Sequence, residues 1–409
     1  MSATIDGLAA RAITAEEYAA FATAVETAFG EDAQPEDVAL WRDITELDRT
    51  VAVFDTGQIV ATGTVDSLEL TVPGGDAVAM AGVTAIGVLP THRRRGLLRG
   101  MMRWLLDGAH ERGEPVAGLW ASEASIYGRF GFGRATCGLH LTVDTRRAAF
   151  TDRVALRGRT RLLDGDAAED LLPRVYERAR PGLAGMLSRS PARWRWVRHD
   201  PDHLRDGASR RFAVAYGDRG YALYRIRDHE TPTGVPDGTV LVEELVTCDD
   251  EALAGLWRYL LDLDLVASLQ AYNRPADDLL PLLLVDPRQA DARLVDRLWV
   301  RLLDVPAALT ARGYATDGSI VLAVHDAFCP WTTGTYLLEI RGGTARCAPT
   351  AQDPEISVGA AELGAVYLGG VPLSQLARAG RATEHRAGAL ARADALLLTT
   401  RAPWCPFVF

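Results

Sequence analysis

Residues 83–101, VTAIGVLPTHRRRGLLRGM, constrain the fold more than any other stretch. Residues 83–89 form a β-branched, apolar run that predicts a buried strand, and Pro90 stops it. Gly96 then permits a tight turn, and Leu97, Leu98, Met101, Met102, Leu105 and Leu106 recur at helical spacing. A strand, a basic glycine turn and a helix aim free backbone N–H groups and the positive end of a helix dipole at an anion. Arg93, Arg94, Arg95 and Arg99 crowd this turn in a chain of net charge −10. The local reversal of sign points to a phosphate-bearing ligand.

Composition removes several chemistries. All 44 basic residues are arginine, so a P-loop and Schiff-base catalysis, which need lysine, are excluded. The acidic balance argues against nucleic acid as a partner and suits a cationic substrate. Cys137, Cys248, Cys329, Cys347 and Cys405 are scattered, with no CxxC, which predicts buried free thiols in a reducing cytoplasm and no metal site. His92 reads as a surface residue of the basic turn. His199 and His203 with Asp200 and Asp202 lack metal-ligand spacing and read as a solvated loop. The sequence around Ser122, SEAS, lacks a nucleophile elbow. No secretory leader is expected in MSATIDGLAARAIT, and no run approaches the roughly 18 apolar residues of a membrane span, so neither export nor a membrane partner is expected.

A length of 409 residues predicts two to three domains. Residues 5–45 hold two helical stretches separated by the carboxylate-rich loop FGEDAQPED. Residues 51–54 and 59–71 predict a hairpin about Thr56-Gly57-Gln58, followed by strands at 80–89 and 115–122 around the helix 97–111. Residues 140–143 are expected to close this sheet. The order of helices, hairpin, strand, helix and strand then recurs: helical material at 167–179 and 194–198, a hairpin at 212–226, a strand at 239–247, a helix at 251–261 and a strand at 265–271. The repeat differs where it matters. THRRRGLL in the first copy is TCDDEALA in the second, where Asp249, Asp250 and Glu251 would stabilise the helix start themselves and repel phosphate. A polar loop at 286–291 precedes a third unit expected to start at 300–303, with strands at 320–324 and 336–340. The chain ends APWCPFVF, an apolar tail expected to dock into protein rather than fray.

Arg93, Gly96 and Leu98 occupy the R/Q-x-x-G-x-G/A pyrophosphate turn of the Gcn5-related N-acetyltransferases (GNAT), with Leu98 in place of the last small residue; the alternative is an exposed basic helix start. Over nearly the whole length, VLPTHRRRGLLR, LWASEASIYGRFGFG, GYALYR, VPAALTARGY, YLGG and the aromatic C-terminus resemble, in that order, the Eis (enhanced intracellular survival) family of N-acetyltransferases. The resemblance implies an α+β fold: tandem GNAT domains, each a mixed sheet with helices on both faces, at 1–148 and 149–292, and a sterol-carrier-protein-like α/β domain at 293–409. Only the first domain would hold acetyl-CoA. The family assembles as homohexamers, trimers of dimers, and acetylates amines of aminoglycosides at several positions.

Carried onto this sequence, Ile86, Gly87 and Val88 would lie along the pantetheine arm. Arg94, Arg95, Gly96, Leu97, Leu98 and Arg99 would wrap the pyrophosphate, and Ser122 and Glu123 would flank the acetyl end. Tyr127 matches the proton donor to the departing thiolate, and the terminal carboxylate of Phe409 matches the general base. The chemistry suits them: an alkyl amine is mostly protonated at neutral pH and must lose a proton, while the leaving sulfur must be stabilised. Taken alone, Tyr127 reads equally as a packed aromatic among glycines, and Phe409 as an apolar plug. Glu31, Asp32 and Trp41 are the candidates for binding a polycationic acceptor; otherwise they are a solvated loop and a core tryptophan. Two departures make the pocket less polar: Val408 where the family often has a carboxylate, and Trp120 where a pocket histidine can stand. Acetyl transfer to protein lysine or polyamines, and a non-catalytic acyl-CoA- or lipid-binding protein, are the alternatives.

Overall fold

The computed structural model describes residues 2–409. Three sheets organise them. The first runs, in spatial order, Ser2–Ile5, Leu8–Arg11, Thr50–Asp55, Gln58–Thr71, Ala77–Val88, Val116–Trp120, Leu298–Leu302 and Gly133–Arg134. Thr56 (φ 48°) and Gly57 (φ 85°) make its central hairpin, both in the left-handed region that a two-residue turn matched to strand twist requires. Strand alternation then sets the layers. Val51 and Val53 pack with Leu97, Met101, Leu105 and Leu106 of the helix Leu97–Glu111, while Ala52 packs with Tyr18 and Phe21 of the helix Tyr18–Phe29 on the opposite face.

The second sheet runs Ala290–Asp296, Cys137–Asp144, Val266–Pro275, Gly238–Thr247, Gly220–Arg227, Phe212–Tyr216 and Thr160–Leu163. The third runs Thr344–Pro349, Gly334–Arg341, Gly318–His325, Ile356–Gly359 and Ala382–Glu384. One core joins the third sheet to the first: Leu70, Met80 and Val300 pack with Leu322, Leu338 and Tyr367.

The first two sheets exchange strands, which corrects two expectations. Cys137–Asp144, expected to close the first sheet, instead pairs antiparallel with Val266–Pro275 and Ala290–Asp296 in the second. Leu298–Leu302, expected to open the third unit, returns to the first sheet between Val116–Trp120 and Gly133–Arg134. Alternation identifies a strand but not its partner, and these partners lie far away in sequence. The expected polar loop at 286–291 is also cut short, because Ala290 and Asp291 already belong to a strand. Within the exchange Arg301 is fully buried and paired with Asp326 of the C-terminal unit.

Candidate active site

Two features open the first sheet. Ala77–Val88 and Val116–Trp120 pair in parallel only from Met80↔Val116 to Gly82↔Gly118, and beyond that the strands part. The pairing of Ala77–Val88 with Gln58–Thr71 also slips between Thr62 and Thr64, where Ala85 adopts φ 51°. Such a bulge leaves backbone groups without ladder partners and re-aims the chain beside a site. The carbonyl of Ala85 is taken by the Thr62 hydroxyl at 2.9 Å.

A groove of about 630 Å³ follows the bulge on one side. Ile86, Gly87, Val88, Arg94, Gly96, Leu97, Leu98, Arg99, Ser122, Glu123 and Tyr127 all line it, with Phe29 at one edge. Arg95 does not; it turns away to pair with Asp6 at 2.7 Å. The helix Leu97–Glu111 begins at Gly96, φ 83°, with no side-chain cap, so the N–H groups of its first turn face the groove unpaired. Arg94 also holds a left-handed φ, 64°. An uncapped helix start beside the Arg94 and Arg99 guanidinium groups, which make no ion pair among the described residues, fits a diphosphate.

Tyr127 ends the short helix Ala124–Tyr127 and is 5% exposed. Burial pushes its phenol above the ordinary value, the nearby Ser122 side chain pulls it back, and the Glu123 carboxylate adds to the rise. Its loop is braced from behind. Arg301 donates to the Phe130 carbonyl, and Gly131 (φ 81°) lies so close that a Cβ there would stand 2.7 Å from the same guanidinium. Sequence reading missed this brace; a lone arginine in the apolar run LWVRLL was its only signal.

A second cavity, about 430 Å³, lies across the bulge. Its walls are mainly apolar, with Tyr18, Phe21, Trp41 and Trp196 among them, and its charged and threonine side chains are Glu26, Thr45, Thr64, Asp66, Thr84 and Arg193. Phe409 closes it: the Thr84 hydroxyl donates to the terminal carboxylate at 2.7 Å, and the ring lies over Gly82, where a Cβ would stand 3.0 Å from it. Trp41 lines this cavity. Glu31 and Asp32 are exposed and outside the lining, because the helix ends at Phe29 and carries them past the opening; Glu26, one turn earlier, takes that place. Burial raises the Glu26 pKa first, and the Glu31 and Asp37 carboxylates raise it further. Trp120 lines neither cavity and lies under the Arg297 guanidinium at 5.5 Å.

The apolar tail docks as expected, though through the second domain. Trp404 is 2% exposed and its backbone N–H donates to the Ala184 carbonyl. Asn273 donates to the Cys405 carbonyl at 2.9 Å, and Arg189 stacks on Phe407 at 4.5 Å. His199 and His203 bind opposite oxygens of buried Asp37, at 2.7 and 2.9 Å, tying the helices Pro35–Ile44 and Pro191–Arg198 together. The reading of that cluster as a solvated loop is thereby corrected.

The acetyltransferase (GNAT) domain family matches residues 9–135 and again, through a second GNAT family, 185–302; the sterol carrier protein domain family matches 305–406. The chain is 37% identical over 377 residues to N-acetyltransferase Eis of Mycobacterium tuberculosis, covering 88% of this chain and 89% of that protein. It belongs to the Eis family of N-acetyltransferases. An uncharacterized N-acetyltransferase of Streptomyces avermitilis is 43% identical over 392 residues, covering 93% of this chain and 95% of that one. The crystal structure of Eis1 from Mycobacterium abscessus superposes with a TM-score of 0.85 at 35% identity, covering 98% of this chain and all of that one. The Eis-family reading of the fold therefore holds: two GNAT domains and a sterol-carrier-like domain, α+β throughout. As a GNAT enzyme the chain transfers acetyl groups to amines, with acetyl-CoA as the family's donor. No helix among the described residues is long and apolar enough to cross a membrane.

Proposed function

We propose that the chain acetylates primary amines of aminoglycoside-like, polycationic acceptors. One observation carries this reading. The two cavities share the bulged strand, with Thr84 and Ala85 lining one and Ile86, Gly87 and Val88 lining the other, so that donor and acceptor meet there. In this reading Ile86, Gly87 and Val88 hold the pantetheine arm. Arg94, Arg99 and the N–H groups of Gly96, Leu97 and Leu98 hold the diphosphate, with Arg95 contributing through its backbone. Ser122 and Glu123 flank the acetyl end.

The donor supplies an acetyl carbonyl on a sulfur leaving group. The remaining work is proton transfer. The Phe409 carboxylate, a group whose ordinary pKa is about 3.3–3.7, is ionised at neutral pH and takes the ammonium proton. Thr84 fixes its position, since its hydroxyl occupies one carboxylate oxygen. Tyr127 acts at the other end. Its raised pKa keeps the phenol protonated at neutral pH, so it can deliver a proton to the departing sulfur. Trp41 and the Glu26 carboxylate hold the rest of the cationic acceptor. A homohexamer accompanies this reading and is open to light scattering.

A thiol-release assay with acetyl-CoA and a panel of aminoglycosides, polyamines and lysine peptides tests the proposal. Turnover fastest with aminoglycosides supports it. Turnover confined to polyamines or peptides reassigns the acceptor, and no turnover with any of them overturns the catalytic reading.

A further inference from the structure

The floor of the acceptor cavity carries two polar side chains that the proton transfers above leave unused. Thr64 and Asp66 stand two residues apart on Gln58–Thr71, so both face the cavity. Thr64 is only 3% exposed, and its hydroxyl has no hydrogen-bond partner among the described residues. Buried hydroxyls are nearly always paired, so an orphan lining a cavity marks a place for a ligand. Asp66 is buried beside it, with Arg193 bound to its Oδ2.

Register places this pair beside the chain end. Thr64 is the cross-strand partner of Thr84, which holds the Phe409 carboxylate, and Asp66 is the partner of Gly82, over which the Phe409 ring lies. Directly paired residues have Cβ atoms about 4.5–5.5 Å apart. Substituents on neighbouring carbons of one acceptor can reach both positions: the amine at the carboxylate, and its neighbour at Thr64 and Asp66. The chemistry of that neighbour follows from the charges. Arg193 already neutralises Asp66 and disfavours a second ammonium, whereas an apolar substituent would leave the Thr64 hydroxyl unpaired. A neutral hydroxyl, which both donates and accepts, satisfies the two side chains together.

We propose that Thr64 and Asp66 form a subsite that reads a hydroxyl on the carbon next to the reacting amine, selecting vicinal amino alcohols over simple amines. The inference rests on the acetyl-transfer reading, and its test separates the two. The kcat/KM for trans-2-aminocyclohexanol and for cyclohexylamine is measured in the wild type, Thr64→Val and Thr64→Ser. The hydroxyl also lowers the basicity of the amine, so the wild-type ratio alone decides nothing; its change across the variants does. Thr64→Val is expected to lower kcat/KM for the amino alcohol about tenfold more than for cyclohexylamine, the scale of one buried hydrogen bond. Thr64→Ser, which keeps the hydroxyl, is expected to preserve the wild-type ratio and guards against a folding defect. Equal changes with both acceptors in Thr64→Val overturn the subsite. Failure of the wild type to acetylate either amine overturns acetyl transfer to this class, and that result appears before any variant is made.

Discussion

The two GNAT domains present the same strand-to-helix junction and treat it in opposite ways. In the first, Gly96 starts the helix with no side-chain cap and leaves its N–H groups to the groove. In the second, Asp249 caps the helix Asp250–Leu261 by accepting from Ala252, and Glu251 accepts from the Arg157 and Gly158 N–H groups and the Tyr216 hydroxyl. Arg219 pairs with both carboxylates, at 3.0 and 3.1 Å. The cleft differs as well. The parting strands of the first sheet admit Phe409 and leave a cavity of about 430 Å³ beside it, whereas those of the second are crossed by Arg274, which donates to the Leu245 carbonyl, lies over Trp404 at 5.2 Å and leaves a smaller cavity of about 290 Å³. A common fold therefore supplies the place for a ligand, and a few capping side chains decide whether the place stays open. The second domain has become the dock for the tail that carries Phe409 into the first.

Tyr127→Phe should produce the largest effect, since it removes the proposed acid from the domain proposed to hold the donor. A fall in kcat of roughly 10²–10⁴-fold is expected in steady-state kinetics, with acetyl-CoA affinity nearly unchanged; an unaltered kcat removes Tyr127 from the mechanism. Gly96→Asp converts the open junction toward the closed one. It sets a side chain at φ 83° and a carboxylate at the helix start, and should weaken acetyl-CoA binding about tenfold to a hundredfold by calorimetry. Glu26 supplies a smaller, pH-dependent effect. Its carboxyl holds a cation only when ionised, and its pKa is raised, so KM for a cationic acceptor should fall as pH rises through a value above the ordinary carboxylate range. Glu26→Gln should raise KM severalfold and remove that limb of the profile. Asp249→Ala, in the closed junction, should cost only about 1 kcal/mol of stability, seen as a lower Tm, and leave acetyl-CoA affinity unchanged.

The local half of this account is legible in the sequence. Gly96 and the run from Leu97 to Glu111 announced an open helix start, and the acidic run at residues 249–251 announced a closed one. Both signals are short-range, set by caps and periodicity. What escaped was set by distant partners. Nothing in Cys137–Asp144 or Leu298–Leu302 says that each pairs outside the unit it was expected in. Glu31 and Asp32 were the obvious carboxylates, but the point where the helix ends decides that Glu26 lines the cavity instead. The Arg301 brace and the Thr64–Asp66 floor depend on which face of a strand meets which neighbour, and that exists only in three dimensions.

The contrast between the two junctions reduces to a stoichiometry. Calorimetric titration of the full chain with acetyl-CoA should give one site per chain, lost or greatly weakened in Gly96→Asp and retained in Asp249→Ala. Two sites per chain, or a site that survives Gly96→Asp unchanged, would contradict the assignment of the donor to the first domain.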